Sequence, residues 1–464
     1  MTTGIDGLSS TLDTTSLINA LIAVDQQPQA QLQAQVSTAT KLVSALQGLN
    51  TQISNLATLA NTSAAPDAFN VFTATSSSSA LTATAAPGAS VGSIDLVVNQ
   101  LAKAQSGVTA SMAGWATSPA ALTIVSSDGT ATDITPASNS LDDIVAAVNS
   151  SATGVSAMKV ASGTVGGVQQ YRLQFTSTAT GAASAFTVYQ GTSADVTAGT
   201  ATNLLTQPGA AMLQTAQDAQ VSLWSGTAAQ QTITSSTNSF ANLLPGVSVT
   251  VSAASASPVT LTIAQDTASI ASTASTFVSS LTAIFASIST QSAVVQSTDA
   301  SGAPITSASV FTGDGTIRNV KQSLLDAATM PVNGHSPSEI GVSITKDGTI
   351  TFDQDKFTAA LAADPANVQS IMQTISTRVA AAATAASDPI DGSITAKITG
   401  QNSSIKTMGD QIDNWDIRLA ARRASLEQTY AAMEVTLGNL KSQSSYLVSQ
   451  LAGLPSMQYT SSSS

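Results

Sequence analysis

Apolar residues near the C-terminus recur with a helical period. Between Asn402 and Leu454 they fall at Ile405, Met408, Ile412, Trp415 and Leu419, then at Leu426, Met433, Leu440, Leu447, Leu451 and Leu454, largely on alternating steps of three and four. Gly409, Gly438 and Gly453 are the glycines of this stretch, and no proline interrupts it before Pro455, so the pattern predicts one long helix. At about 1.5 Å per residue such a rod is roughly 75 Å long, and an apolar stripe of that length needs a cover. Near the other end, Leu32, Leu42, Leu46, Leu49, Ile53 and Leu56 repeat the same spacing with Gln, Ser, Thr and Asn between them. A second helix is expected from Leu32 to Leu59, pairing with the first. Met1 to Val24 is more weakly amphipathic, with Leu8, Leu12, Leu17, Ile18, Leu21 and Ile22 scattered among hydroxyl residues, and is expected to be marginal alone.

From Phe69 onward the apolar period changes to two. Val71, Thr73, Thr75 and then Ile94, Leu96, Val98, with Pro87-Gly88 and Gly92 as turn signals, predict short antiparallel strands. Further strands are expected at Leu122–Val125, Val155–Val160, Tyr171–Thr176 and Ala185–Tyr189, with a helix at Leu141–Asn149 capped by Ser140. Gly191 to Asn203 reads as a Gly/Thr-rich spacer, after which strands resume at Gln220–Trp224, Val247–Val251 and Val259–Ile263. Helix period returns at Thr267–Ser289, with Ile270, Ala274, Phe277, Leu281, Ile284 and Ile288 on one face. A small unit follows: a helix at Val320–Leu325, a hairpin turning at Lys346-Asp347-Gly348, and helices at Asp355–Ala362 and Pro365–Ile375.

The expected fold class is therefore multidomain α+β, with terminal helices pairing as a coiled-coil or helical-bundle leg and two inserted β-rich head domains. Residues 1–68 and 267–464 form the leg, including a small α+β unit at 310–376; residues 69–104 and 214–266 form one head domain; residues 105–213 form a second, inserted one.

Charged residues make up only 9% of the chain, against roughly 25% in ordinary soluble domains. Lys plus Arg number 15 and Asp plus Glu 27, a formal charge of −12, which argues against nucleic acid and anionic lipid as partners. Cysteine is absent, so no disulfide or thiolate chemistry is available. The N-terminal stretch lacks a basic region followed by a continuous apolar run, and no apolar run reaches the roughly 18–20 residues of a membrane span. Neither a signal peptide nor membrane insertion is expected.

Candidate chemistry is sparse. His335 is the one histidine and lies in the turn-like Pro331-Val332-Asn333-Gly334-His335-Ser336-Pro337, where it reads as a loop residue rather than a zinc ligand. Gly88-Ala89-Ser90-Val91-Gly92 matches the spacing of a nucleophile elbow, but no helix pattern follows it. Asp347, Asp353 and Asp355 lack the order of a calcium loop, and Gly313-Asp314-Gly315 lacks the lysine of a phosphate loop. Arg418, Arg422 and Arg423 face Asp413, Asp416 and Glu427 at helical distances and read as a solvated charged flank; Trp115, Trp224 and Trp415 read as core residues. No catalytic residue, cofactor site or metal site is expected.

Three blocks resemble the flagellar filament-capping, or hook-associated protein 2, family. They are Gly7-Leu8-Ser9-Ser10-Thr11-Leu12-Asp13; Ile340-Gly341-Val342-Ser343-Ile344-Thr345-Lys346-Asp347-Gly348 through Lys356-Phe357 to Ala363-Asp364-Pro365; and Tyr430-Ala431-Ala432-Met433-Glu434 with Leu440-Lys441-Ser442-Gln443-Ser444-Ser445-Tyr446-Leu447. The last block argues against a hook–filament junction protein. Glu434 departs from the family's aspartate and Leu426 from a common aromatic.

The resemblance implies a non-enzymatic, homo-oligomeric ring at the distal tip of the bacterial flagellum, promoting insertion of exported flagellin. It further implies secretion through the flagellar type III channel and roles in motility. Implied partners are further copies of the chain, flagellin, the hook–filament junction proteins and a cytoplasmic export chaperone on the C-terminal helix. Docking would use the apolar helix edges at Leu42, Leu46, Leu49, Ile53, Leu426, Met433, Leu440 and Leu447, each worth about 1.5–3 kcal/mol when fully covered. The alternative is a surface adhesin whose β-domains bind a host or environmental ligand.

Overall fold

The structure, a computed structural model, describes residues 13–346 and 348–453. The expectations placed on Gly7 to Leu12, on Asp347 and on Leu454 to Ser464 lie outside the described residues. The α-helices are α1 (Thr14–Asp25), α2 (Gln27–Ser63), α3 (Leu141–Ser150), α4 (Ser193–Ala198), α5 (Thr267–Ser292), α6 (Gly315–Thr329), α7 (Gln354–Ala363), α8 (Pro365–Ser387) and α9 (Ser393–Ala452). The chain divides into two compact units, Pro66–Thr273 on one side and Met1–Ala65 with Ala274–Ser464 on the other.

The Pro66–Thr273 unit holds two separate hydrophobic cores between antiparallel sheets. One sheet has the strand order Phe72–Ser76, Val259–Gln265, Gly92–Gln100, Ala219–Leu223, Gln231–Ser235. Its register sets Leu223 and Val259 either side of Leu96, so the inward positions of three strands meet in one row. A three-stranded sheet, Ser239–Leu244, Val247–Val251 and Leu81–Ala85, contributes Phe240, Val247, Val249, Val251 and Leu81 to the same core. The second core, around Leu122, Ile124, Leu173, Phe175, Phe186 and Val188, lies between two four-stranded sheets and takes Leu141, Ile144 and Val148 from α3. Ser140 caps α3 by accepting from the Asp142 amide at 3.2 Å.

Three sequence expectations need correction in this unit. Gly191 to Asn203 is no bare spacer: α4 begins at a capping box in which Thr192 and Asp195 bond reciprocally, and ends at Gly199 in the left-handed region. The strands Gln231–Ser235 and Ser239–Leu244 fall outside the predicted set: the first carries only Ile233 among polar residues, and the second, apolar at Phe240, Ala241, Leu243 and Leu244, has no period of two. Trp224 is not a core residue but is 45% exposed, at a backbone φ of +49° in the turn after its strand. Trp115 is buried, as expected.

The other unit is built on α2. Its buried face, Val43, Leu46, Leu49, Ile53, Leu56, Ala57, Ala60 and Ser63, packs against α8 and α9. The Gln373 amide donates to the Ala65 carbonyl at 3.3 Å, and the Gln29 amide donates to the Asp416 carboxylate at 2.6 Å. The chain from α8 into α9 therefore runs opposite to α2, with α8 beside its C-terminal half and α9 beside its N-terminal half. Ala380, Ala383 and Ala386 on α8 are buried, small side chains that let the helix backbones approach closely. In α5, the predicted face of Ile270, Ala274, Phe277, Leu281, Ile284 and Ile288 is buried throughout. Helix α6 packs on α8, and the Arg378 guanidinium donates to the carbonyls of Met330 and Pro331 just beyond α6. The hairpin Val342–Ile344 with Ile350–Phe352 forms at the predicted place. Asp353 caps α7, its carboxylate accepting from the Lys356 amide at 3.0 Å.

Candidate functional site

The terminal helices meet in a small apolar cluster. Ile18 and Ile22 of α1 are buried with Leu419 of α9, and Trp415, Leu426 and Tyr430 pack around them. Spacing of three and four places Trp415, Leu419, Leu426 and Tyr430 on one side of α9, which explains why a weakly amphipathic α1 is helical here: α9 covers its one apolar edge. Asp13 caps α1 by accepting from the Ser16 amide at 2.8 Å.

Charges on α9 reinforce the contact differently from expectation. Arg422 reaches Asp25 at 3.5 Å, Arg423 donates to the Asn19 side chain at 2.8 Å, and the Arg418 guanidinium stacks over Trp415 at 4.0 Å. Two of the three arginines thus cross to α1 instead of pairing along their own helix. These groups are exposed, so the ion pair is worth at most about 1 kcal/mol.

The eight residues expected to line a docking edge separate into three classes. Leu46, Leu49 and Ile53 are fully buried inside this chain against α8 and α9, so they hold the stem together and offer nothing to another molecule. Their heptad spacing could not distinguish an internal partner from an external one. Leu42, Leu426 and Met433 are half-buried. Leu440 and Leu447, at 55% and 59% exposure, stand in solvent. With them stand Val435, Leu437, Tyr446, Val448 and Leu451, which the heptad reading did not single out or left unranked. Among the described residues after Glu434, no side chain of α9 is buried.

The junction between α8 and α9 is rigidly made. Asp388 accepts from the amides of Ile390 and Asp391 at 2.8 and 2.9 Å. The Asp391 amide first and the Ile390 amide second hold the Asp388 carboxyl below its ordinary pKa. A β-carbon on Gly392 would lie 2.5 Å from the Asp388 carbonyl oxygen, so only glycine fits there. At the start of α5, Asp266 is lowered similarly by the Ser269 amide and then the Ser269 hydroxyl.

A second exposed apolar feature falls outside the elements predicted from sequence. Val294–Thr298 and Pro304–Ala308 pair as a two-stranded hairpin in which every residue is exposed. The signal is β-branched residues, Val294, Val295 and Thr298 before and Ile305 and Thr306 after, on each side of the turn Asp299-Ala300-Ser301-Gly302, where Asp299 accepts from the Ser301 and Ala303 amides. His335 sits in its turn with Nδ1 2.9 Å from a Glu339 carboxylate oxygen. Among the described residues, no group of three or more His, Asp or Glu side chains is arranged to hold a metal ion.

Known proteins share this architecture. Residues 216–442 match the sequence model of the flagellar hook-associated protein 2 C-terminus, and residues 10–105 match that of its N-terminus. Flagellar hook-associated protein 2 of Escherichia coli strain K12 is 27% identical over 474 aligned positions, covering 96% of this chain and 97% of the relative. The Escherichia coli O157:H7 protein of the same name is 28% identical over the same shares. The crystal structure of the D1-D2-D3 domains of the flagellar cap protein FliD from Escherichia coli superposes with a TM-score of 0.59 at 25% identity, covering 77% of this chain and 99% of that one. With both family models matched and the relatives aligned nearly end to end, the chain belongs to the flagellar hook-associated protein 2 family, the structural cap proteins of the bacterial flagellar filament.

Proposed function

We propose that this cap works at the filament tip without catalysis, by reversible docking of the exposed apolar stripe on the last turns of α9. The observation that carries the proposal is the stripe itself: Leu440, Leu447 and Leu451 remain in solvent on a helix whose earlier turns are held by α1 and α2. A side chain half in water retains roughly half of its burial free energy, about 1 kcal/mol, for a partner. Several such contacts add to useful affinity yet release individually, which suits a cap that must shift as each flagellin subunit enters beneath it.

In this reading the protein leaves the cell through the flagellar export channel, forms a ring with further copies of itself and meets flagellin and the junction proteins outside. The same stripe would be shielded by a cytoplasmic chaperone before export. Nothing found supports the adhesin alternative. The test is Leu440→Asp: the variant is exported, but flagellin monomers accumulate in the medium. Filaments of normal length on that strain would contradict the proposal.

A further inference from the structure

We propose that the Val294–Thr298/Pro304–Ala308 hairpin and the cavity at its root form an arm that grips the middle of α9 on a second copy of this chain, head to tail. The inference rests on the cap reading only in that a ring of identical subunits needs such a contact.

The arm calls for a partner on physical grounds. A lone two-stranded hairpin is marginally stable in water, and it ordinarily needs a third strand or a packed face. Here all ten strand residues are exposed, with Val294, Val295 and Ile305 among them. Neither strand carries a charge that would discourage association. The arm is nonetheless firmly rooted, because the Ser309 amide donates to the Ala293 carbonyl and the Phe311 amide to the Gln291 carbonyl at 2.7 Å. At that root lies a cavity of about 270 Å³ with Ile288, Phe311, Arg318 and Lys321 among the residues that line it. Asp314, which also lines it, is already paired with Lys397 at 2.6 Å. Arg318 and Lys321 make no ion pair among the described residues.

The complementary surface is on α9. Asp410 and Asp413 are exposed and make no ion pair among the described residues, and Ile417, one turn further on the same face, is 69% exposed. The two carboxylates stand three residues apart on their helix, as the two cations do on α6. Ile417 is the apolar group that follows them and is of a size to enter the cavity. Lys406, one turn before Asp410, marks where the acidic stretch ends. Because the gripping and gripped surfaces are different, the contact is heterologous and repeats around a ring.

Sedimentation velocity of the full chain over a range of concentrations, at low and high salt, tests the grip. Arg318→Glu with Lys321→Glu lowers the association constant at least about tenfold, and Asp410→Lys with Asp413→Lys does the same. Mixed in equal amounts, the two variants assemble again, since alternating copies restore opposite charges at every contact. Wild-type assembly weakens with salt. Should either double variant lose helical circular dichroism, Ile305→Lys on the exposed arm supplies the same readout. Assembly of the double variants at wild-type strength, a mixture that stays dissociated, or a wild-type chain that stays monomeric overturns the grip. Filament growth in cells is scored separately, so a failed grip with intact capping is told apart from a failed cap.

Discussion

Ile53→Ala and Leu440→Ala remove aliphatic side chains from positions that share a heptad rhythm but not an environment. Ile53 is fully buried between α2 and its neighbours, so its truncation leaves a cavity that close-packed helices fill only in part. A loss of about 3 kcal/mol follows, from the usual 2–5 kcal/mol for such a change. Leu440 is 55% exposed, so less than half of its apolar surface is removed from water in the free chain. Its truncation costs about 1 kcal/mol or less in stability, and removes a similar amount, roughly fivefold, from association. Urea unfolding followed by far-ultraviolet circular dichroism reads the difference. With a slope of about 3 kcal/mol per molar, the Ile53→Ala midpoint falls by about 1 M while the Leu440→Ala midpoint moves little. An Ile53→Ala chain that unfolds at the wild-type midpoint, or a Leu440→Ala chain that unfolds as early as Ile53→Ala, refutes the separation of stem-holding from partner-holding residues.

Asp266 and Asp388 have carboxyl pKa values lowered by amide donors, so their contribution to stability is complete above the unfolded value near 4 and is lost as pH falls below it. Thermal midpoints measured from pH 6 to pH 3 should fall less steeply for the Asp266→Asn/Asp388→Asn chain than for the wild type; parallel curves would count against this. Gly341 has a φ of +82°, and an added β-carbon would lie 2.4 Å from the Asp353 carbonyl oxygen. Gly341→Ala therefore destabilises its unit by about 2 kcal/mol or more, and an unchanged melting temperature would show that the backbone there yields cheaply.

Much of this fold is legible in the spacing of apolar residues. The long period-3.6 runs gave α2 and α9; α2 starts earlier than its apolar pattern, at Gln27, because its polar first turn carries no periodic signal, whereas α9 starts at Ser393 with the buried Ile394 and then Ile398 extending the same spacing upstream of Gly400. Ser140 was readable as a cap because its hydroxyl has one good use at that place. Strands rich in threonine and serine, such as Gln231–Ser235, were not readable, since a half-polar inner face erases alternation. The docking edge was only half legible. Heptad spacing marks a face that must be covered, but whether α8 covers Leu46 or a neighbour covers Leu440 depends on chain path, which spacing does not encode. The arm at Val294–Ala308 shows the reverse failure, for its sequence has a strand signal and its significance lies wholly in exposure.

The measurement that bears most directly on the account is the partition of flagellin between filament and medium in cells whose one copy of this protein carries Leu440→Asp. The variant is expected to be exported and folded, with short filaments and flagellin shifted into the medium. Full-length filaments with no excess flagellin outside would mean that the exposed end of α9 is not what holds the cap in place.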